Sequence, residues 1–292
     1  MDGVICVLGD AHLDVVFSLS GPFAADTDTP ARTSLSLGGQ AANVAAWVVA
    51  LGGRSRLIAA TATDLAAGLV ASELADRGIE LVGPVIEGRT GVIVALSDRG
   101  SQRSMLTDRG VGPLLGAGAI EPNWLDDCSW LHLPAYSLTS DPVRGAALAA
   151  VRMARGRSSH GRPARISVDL SSVAAISGFG VAAFRELLGE LRPDVLFGNK
   201  DETELVGDLA GLAGPAGQAA LSDLAGTAGI EVISKLGADG VLVNGRHYPA
   251  VPTEPADATG AGDAFAAGYL VGGVALGLQA AARAVAKIGA MP

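Results

Sequence analysis

The sequence predicts an α/β protein, a three-layer α/β/α sandwich with a mostly parallel central sheet and a small β-sheet lid. Three observations predict it. Short, near-continuous apolar runs alternate with longer helical stretches along most of the 292 residues. Strands apolar on both faces belong to parallel sheets covered by helices on each side. Two segments break that rhythm with a period-two alternation of polar and apolar residues, the mark of strands whose faces differ. Finally, a Gly-rich step at 257–265 leads into a late apolar helix and gives the sheet a ligand-binding end.

In chain order, "VICVLG" (4–9) is a core strand, and "LGDAHLDVV" leaves it for the lid. "DVVFSLS" (Asp14 to Ser20) and "ARTSLSLGG" (Ala31 to Gly39) alternate, so they read as lid strands. The step at Gly38-Gly39 opens the helix "AANVAAWVVALG" near Gln40. "RLIAAT" (56–61) is the next strand and "DLAAGLVASELADRG" (64–78) the next helix. "TGVIVALSDRGSQRSMLTDRG" (Thr90 to Gly110) is a second lid hairpin, turning at Asp98-Arg99-Gly100. An edge meander packed on the core is the alternative for these alternating segments.

"WLHLPAY" (130–136), "ARISVDL" (164–170) and "DVLFGN" (194–199) continue the sheet. The helices "DPVRGAALAAVRMAR" (141–155) and "FRELLGELR" (184–192) lie between them. Gly211 to Gly217 is a surface loop. "EVISKLG" (231–237) and "VLVNG" (241–245) are strands around a Gly-bearing turn. The Pro-punctuated "VPTEPA" cannot be a central strand. After it, "AFAAGYLVGGVAL" (264–276) reads as one buried helix.

Composition narrows the function classes. The length suits one large α/β core, read here as a single domain over 1–292 with a lid from about 14–38 and 90–110. Apolar residues make up 49%, yet no purely apolar run reaches the length of a membrane span. "MDGVICVLGD" starts a strand almost at once, without a basic n-region, so a cytoplasmic location without a signal peptide is expected. Cys6 and Cys128 read as small buried hydrophobes in a reducing compartment. A net charge of −9 argues against nucleic acid, but local positive sites still leave an anionic substrate open.

The chemistry centres on Asp257–Phe265. Small residues at 260–262 leave backbone N–H groups free at the start of a helix. Those donors and the helix dipole make an anion site, for which phosphate is the usual ligand. Asp263 would stand beside such a phosphate, where a base for an attacking hydroxyl belongs. The plainer alternative is a tight turn with an acidic first-turn residue.

"DATGAGDAFAAGYL" (257–270) resembles the C-terminal signature of ribokinase-like, PfkB-type sugar kinases, D-[small]-x-G-A-G-D, departing only at Ala258. "GGQAAN" (38–43) matches the N-terminal signature G-G-x-x-x-N, with Gln40 where several ribokinases carry Lys. The resemblance runs from about residue 4 to 290 and so implies a ribokinase-like fold. It implies that Asp263 is the base and that Gly260, Ala261 and Gly262 form the anion hole. Asp14, Gly38, Gly39 and Asn43 would bind the acceptor, with His12 and Asp10 beside them. Asn199 and Glu202, spaced N-x-x-E, would hold Mg²⁺ and phosphate largely through water, although an N-capped acidic helix start fits them too. Lys235, Gly237 and Gly240 would line ATP, with a surface hairpin Lys as the alternative for Lys235. Ala284 and Gly289 would meet adenine. Asp257 and Thr259 would help a monovalent cation site for K⁺. In the lid, Arg103 and Arg109 are either solvated strand charges or partners for an anionic group on the acceptor.

The resulting expectation is ATP- and Mg²⁺-dependent phosphoryl transfer to a sugar hydroxyl, in a homodimer joined through the lid, with no nucleic-acid or membrane partner. A nucleoside of the adenosine or pseudouridine type is the rival acceptor, though 4% aromatic residues offer few rings for a base. A catalytically silent sugar-binding protein is the rival outside enzymes. A dinucleotide-dependent oxidoreductase is rejected because G-x-G-x-x-G does not follow the first strand, and a P-loop kinase because G-x-x-x-x-G-K-[ST] is absent.

Overall fold

Along the first strand, β1 (Val4–Leu8), every residue is buried, and successive side chains enter two different cores. Val4, Cys6 and Leu8 join one core, while Ile5 and Val7 join the other. This is the reason the run is apolar at each position. The computed structural model describes residues 3–97, 103–156, 158–159, 162–207 and 229–292. The Asp98-Arg99-Gly100 turn and the Gly211 to Gly217 loop lie outside the described residues.

The central sheet contains β1, β4 (Arg54–Ile58), β5 (Glu80–Val82), β8 (Cys128–Pro134), β11 (Arg165–Asp169), β12 (Val195–Asn199), β13 (Glu231–Lys235), β14 (Val241–Val243) and β15 (Arg246–Tyr248). Their order is β15-β14-β13-β12-β11-β8-β1-β4-β5. Neighbours from β5 to β13 run parallel, and β14 and β15 close the edge antiparallel. A small ribbon, β9 (Ser158–Ser159) with β10 (Arg162–Pro163), precedes β11.

One face is covered by α1 (Gln40–Ala50), α2 (Leu65–Asp76), α7 (Ala261–Gly272) and α8 (Val274–Val285). The other carries α3 (Val143–Gly156), α4 (Val173–Phe179), α5 (Val181–Leu191) and α6 (Lys200–Gly207). The three-layer architecture and the mostly parallel sheet are therefore present.

Some elements differ from expectation. The stretch 264–276 is not one helix, because the chain breaks at Gly273 (φ 80°) into α7 and α8. The two helices approach so closely that a Cβ on Gly268 would stand 2.7 Å from Gly277 Cα. β5, β15 and α4 were not anticipated. Helix α4 does carry a start signal, since Ser172 Oγ accepts the Ala175 N–H at 3.2 Å.

The alternating segments form a second sheet, β3-β2-β6-β7, from β2 (His12–Leu19), β3 (Ala31–Gly38), β6 (Thr90–Ser97) and β7 (Arg103–Gly110). It shares no strand with the central sheet, so the edge-meander alternative does not apply. β2 and β6 pair in parallel, and the outer pairs are antiparallel. Both cysteines are free and buried. Among the described residues, no helix is long and apolar enough to cross a membrane.

Candidate active site

At the carboxyl end of the sheet, α7 starts from Gly260, a left-handed residue at φ 76°. A Cβ there would lie 2.6 Å from Ala290 Cα, so conformation and space both require glycine. Asp257 shapes the approach: its Oδ1 accepts the Thr259 N–H and hydroxyl at 2.9 and 2.7 Å, and its Oδ2 accepts the Gly289 N–H at 3.0 Å. The first-turn amides of α7 have no acceptors within the helix, and the Ala261 N–H turns back to the Ala258 carbonyl at 3.3 Å.

Asp263 lies in this first turn, partly buried. Its Oδ2 accepts a hydrogen bond from Asn43 Nδ2 at 2.8 Å. Asn43 stands in the first turn of α1, directly after the double glycine. Burial pushes the Asp263 carboxyl up to about 7, and the charge of Asp169 adds to that. The Asn43 bond, the Lys235 charge and a Gln40 bond pull the other way. A carboxyl balanced near neutrality can accept a hydroxyl proton and give it up again.

Asp169 is a site residue the sequence reading missed. It ends β11, it is 1% exposed, and its Oδ2 accepts a hydrogen bond from Lys235 Nζ at 2.7 Å. Lys235 is a largely buried cation paired with Asp169, so the surface-hairpin alternative for it does not hold. One signal was available: an acidic residue at the carboxyl end of a parallel core strand, where ligands bind.

Around Asp14 the reason for the double glycine becomes clear. A Cβ on Gly38 would stand 2.3 Å from Asp14 Oδ1, and one on Gly39 2.3 Å from the Asp10 carbonyl oxygen. The space beside Gly39 is taken by the chain's own Asp10. His12 Nδ1 lies 3.1 Å from Asp14 Oδ1. Buried oxygens of Asp10, Gln40 and Asn43 lack protein hydrogen-bond partners, which is the donor-seeking set a polyhydroxylated ligand would satisfy. Arg109 is not a solvated strand charge. Its Nε donates to Asp10 Oδ2 at 2.7 Å, and its guanidinium lies 5.6 Å from the Tyr136 ring centre, tying β7 to the end of β1. The Arg103 side chain lies outside what is described.

Asn199 and Glu202 form a reciprocal capping box. The Glu202 N–H donates to Asn199 Oδ1, and the Asn199 N–H donates to Glu202 Oε2, both at 2.8 Å. The helix-start alternative is thus realised, which leaves Glu202 Oε1 as the oxygen free of the capping box. Burial raises the Glu202 carboxyl above its ordinary value. Gly237 (φ 62°) has open space where a Cβ would be. At Gly240 a Cβ would meet the Tyr248 carbonyl oxygen at 2.1 Å, so that glycine serves the β14–β15 turn. Ala284, expected against adenine, is fully buried in the core. A cavity of about 300 Å³ lies under the base of the second sheet, lined by residues including Ala11, Thr61, Asp64, Thr90 and Val111, and its lining includes neither Asn43 nor Asp263.

The sequence model of the pfkB family of carbohydrate kinases matches residues 3–291. A fructokinase of Escherichia coli is 28% identical over 305 residues, covering 99% of this chain and 90% of that protein. Among solved structures, the adenosine kinase of Sinorhizobium meliloti superposes with a TM-score of 0.82 at 23% identity, covering 100% of this chain and 96% of its own. The ribokinase of Thermotoga maritima superposes with a TM-score of 0.79 at 24% identity, covering 99% and 96%. These structural likenesses bear on the fold, which is ribokinase-like.

Proposed function

This chain belongs to the pfkB family of carbohydrate kinases and as such is a phosphotransferase with an alcohol group as acceptor; from that premise we propose that Asp263 is the general base that takes the proton of a sugar hydroxyl as its oxygen receives the γ-phosphoryl group of ATP and ADP leaves. One observation carries the reading. The carboxylate of the C-terminal signature meets the amide of the N-terminal signature, Asn43 Nδ2 to Asp263 Oδ2 at 2.8 Å, across 220 residues of chain. A residue that can bind the acceptor therefore also holds the base that would activate it.

In this reading Asn43 and Asp10 orient the acceptor through their unpartnered oxygens, and Asp14 through the carboxylate that His12 holds. Asp263 takes the hydroxyl proton as the hydroxyl attacks. The α7 amides from Gly260 to Gly262 and the Lys235 ammonium offset charge on the transferring phosphoryl group. When bound, ATP would supply that group and Mg²⁺ would offset the charge on its oxygens. Glu202 Oε1 would hold the ion through water. A single protein carboxylate suits Mg²⁺, which keeps several waters and takes phosphate oxygens as ligands. Gly237 and the carboxyl ends of β12 and β13 would border the nucleotide. A K⁺ site beside Asp257 and Thr259 belongs to the same reading. So do closure of the second sheet as a lid over the acceptor, and pairing of two chains through its edge strands, where Leu35, Met105 and Leu106 are exposed.

The experiment is ADP release with ATP and Mg²⁺ across a panel of sugars, sugar phosphates and nucleosides. A preferred sugar, with turnover lowered about 10²–10⁴-fold in Asp263→Asn, is the expected outcome. Near-wild-type turnover in that variant would place the base elsewhere. A preferred nucleoside would change the acceptor class.

A further inference from the structure

Building on the carbohydrate-kinase reading, we propose that Asp169 is a positioning residue that seats the Lys235 ammonium against the first turn of α7, so that a full positive charge stands in the anion hole before any phosphate arrives. The geometry is specific. Asp169 ends β11 and Lys235 ends β13, with β12 between them. Adjacent strands lie about 4.8 Å apart, so the 2.7 Å contact can form only if Lys235 lies sideways across the end of β12. That posture brings Nζ to α7, where a Cβ on Gly262 would stand 3.2 Å from it. Gly262 therefore does more than expose an amide, because its missing side chain leaves room for the ammonium.

Left to itself, a cation at this end of a helix is repelled by the dipole and by the outward N–H groups. Asp169 at the end of β11, Glu202 in α6 and Asp263 in α7 face it and supply the compensating negative charge. Burial works against the ammonium, but these carboxylates outweigh burial, and Lys235 is held above its ordinary value. It stays charged throughout the neutral range. The charged groups acting on Asp263 are Asp169 and Lys235, with the uncharged Asn43 and Gln40 of α1 completing its surroundings.

Asp169 and Lys235 act on Asp263 with opposite signs. If Asp169 also seats the ammonium, its loss removes both influences, whereas with Lys235 already absent it removes only its own. The test is a nucleotide-free titration of the protein labelled with ¹³C at aspartate carboxyls, with the Asp263 signal assigned by its loss in Asp263→Asn. Lys235→Met is expected to move the Asp263 midpoint to higher pH, and Asp169→Asn to lower it clearly in the Lys235→Met background but less, or not at all, in wild type. In turnover, Lys235→Met is expected to lose about 10²-fold in kcat, as for removal of one preorganised donor to a developing anion, with acceptor KM within about threefold of wild type. An Asp169→Asn shift equal in the two backgrounds, or a midpoint unmoved in Lys235→Met, would overturn the proposal, as would kcat within about threefold of wild type in Lys235→Met. If Asp169→Asn does not fold, Lys235→Met decides alone. If wild type phosphorylates no acceptor, the kinase reading fails, while the titration still reports whether the charge is seated as described.

Discussion

Asp263 keeps its proton to a pH at which an exposed aspartate has long lost it, and that has two measurable consequences. As a base it works only when ionised, so kcat/KM is expected to rise with pH along a limb centred near 7. A limb below pH 5 would mean that the titrating base is another group. The second consequence concerns stability. The folded-state value lies above the unfolded one, so the unfavourable ionisation is absent below about pH 4, grows as pH rises, and is complete above about 7. Asp263→Asn removes it. The variant is expected to melt several degrees above wild type at pH 8, from a gain on the order of 2–4 kcal/mol, with the gap closing as pH is lowered towards 4. Thermal melts at the two pH values check this. At this scale the sequence exposed Asp263 and Asn43 because each sits in a short, glycine-marked motif. It hid Asp169, whose partner lies 66 residues away and two strands over. It also left open why residues 38 and 39 are both glycine, since only coordinates reveal that Asp14 and Asp10 occupy the space their side chains would need.

Helices α7 and α8 are the elements that hold the base in place, and they pack through missing side chains. A Cβ on Gly277 would stand 2.9 Å from the Phe265 carbonyl oxygen and 3.0 Å from its ring. Phe265 lies two residues after Asp263, so this contact fixes the turn that carries the carboxylate. Gly277→Val is expected to cost about 1–3 kcal/mol through overpacking and to lower the melting temperature by a few degrees. A melting temperature unchanged within about one degree would show that the two helices can slide apart freely. The split between these helices was not legible because Gly272-Gly273 sits inside an apolar run that continues with the same composition on both sides. β5 and β15 were missed because three residues are too few to display a period. The longer strands were legible for the opposite reason: β1 is apolar at every position because both of its faces are buried.

Across the whole molecule, the second sheet is fastened to the first at identifiable points. Asp64 caps α2 and accepts from the N–H and hydroxyl of Thr90, at 2.9 and 2.6 Å, where β6 begins. Arg109 reaches from the end of β7 to Asp10 at the end of β1. Since Asp10 also borders the acceptor side, Arg109→Ala is expected to raise acceptor KM about tenfold while kcat changes less. The wild-type KM should drift the same way in high salt, because the pair is partly exposed. Steady-state kinetics at two ionic strengths checks both, and an unaltered KM in the variant would remove Arg109 from acceptor binding. The overall architecture was the most legible level, since alternation of apolar runs with helices extends over most of the chain and a period-two pattern set the second sheet apart. How the two sheets attach was not legible, because the attachments are single side chains distant in sequence. The order of the small sheet also matters while the protein is being made. β2 is an inner strand whose partners are β3, just after it, and β6, which follows β2 after about 70 residues. At about 5–20 residues per second, a ribosome leaves one edge of β2 bare for roughly 4–14 s. During that interval the nascent chain presents an open strand to its neighbours on the same message. Translation speed between residues 20 and 90 can therefore change how much enzyme is recovered without altering the enzyme itself.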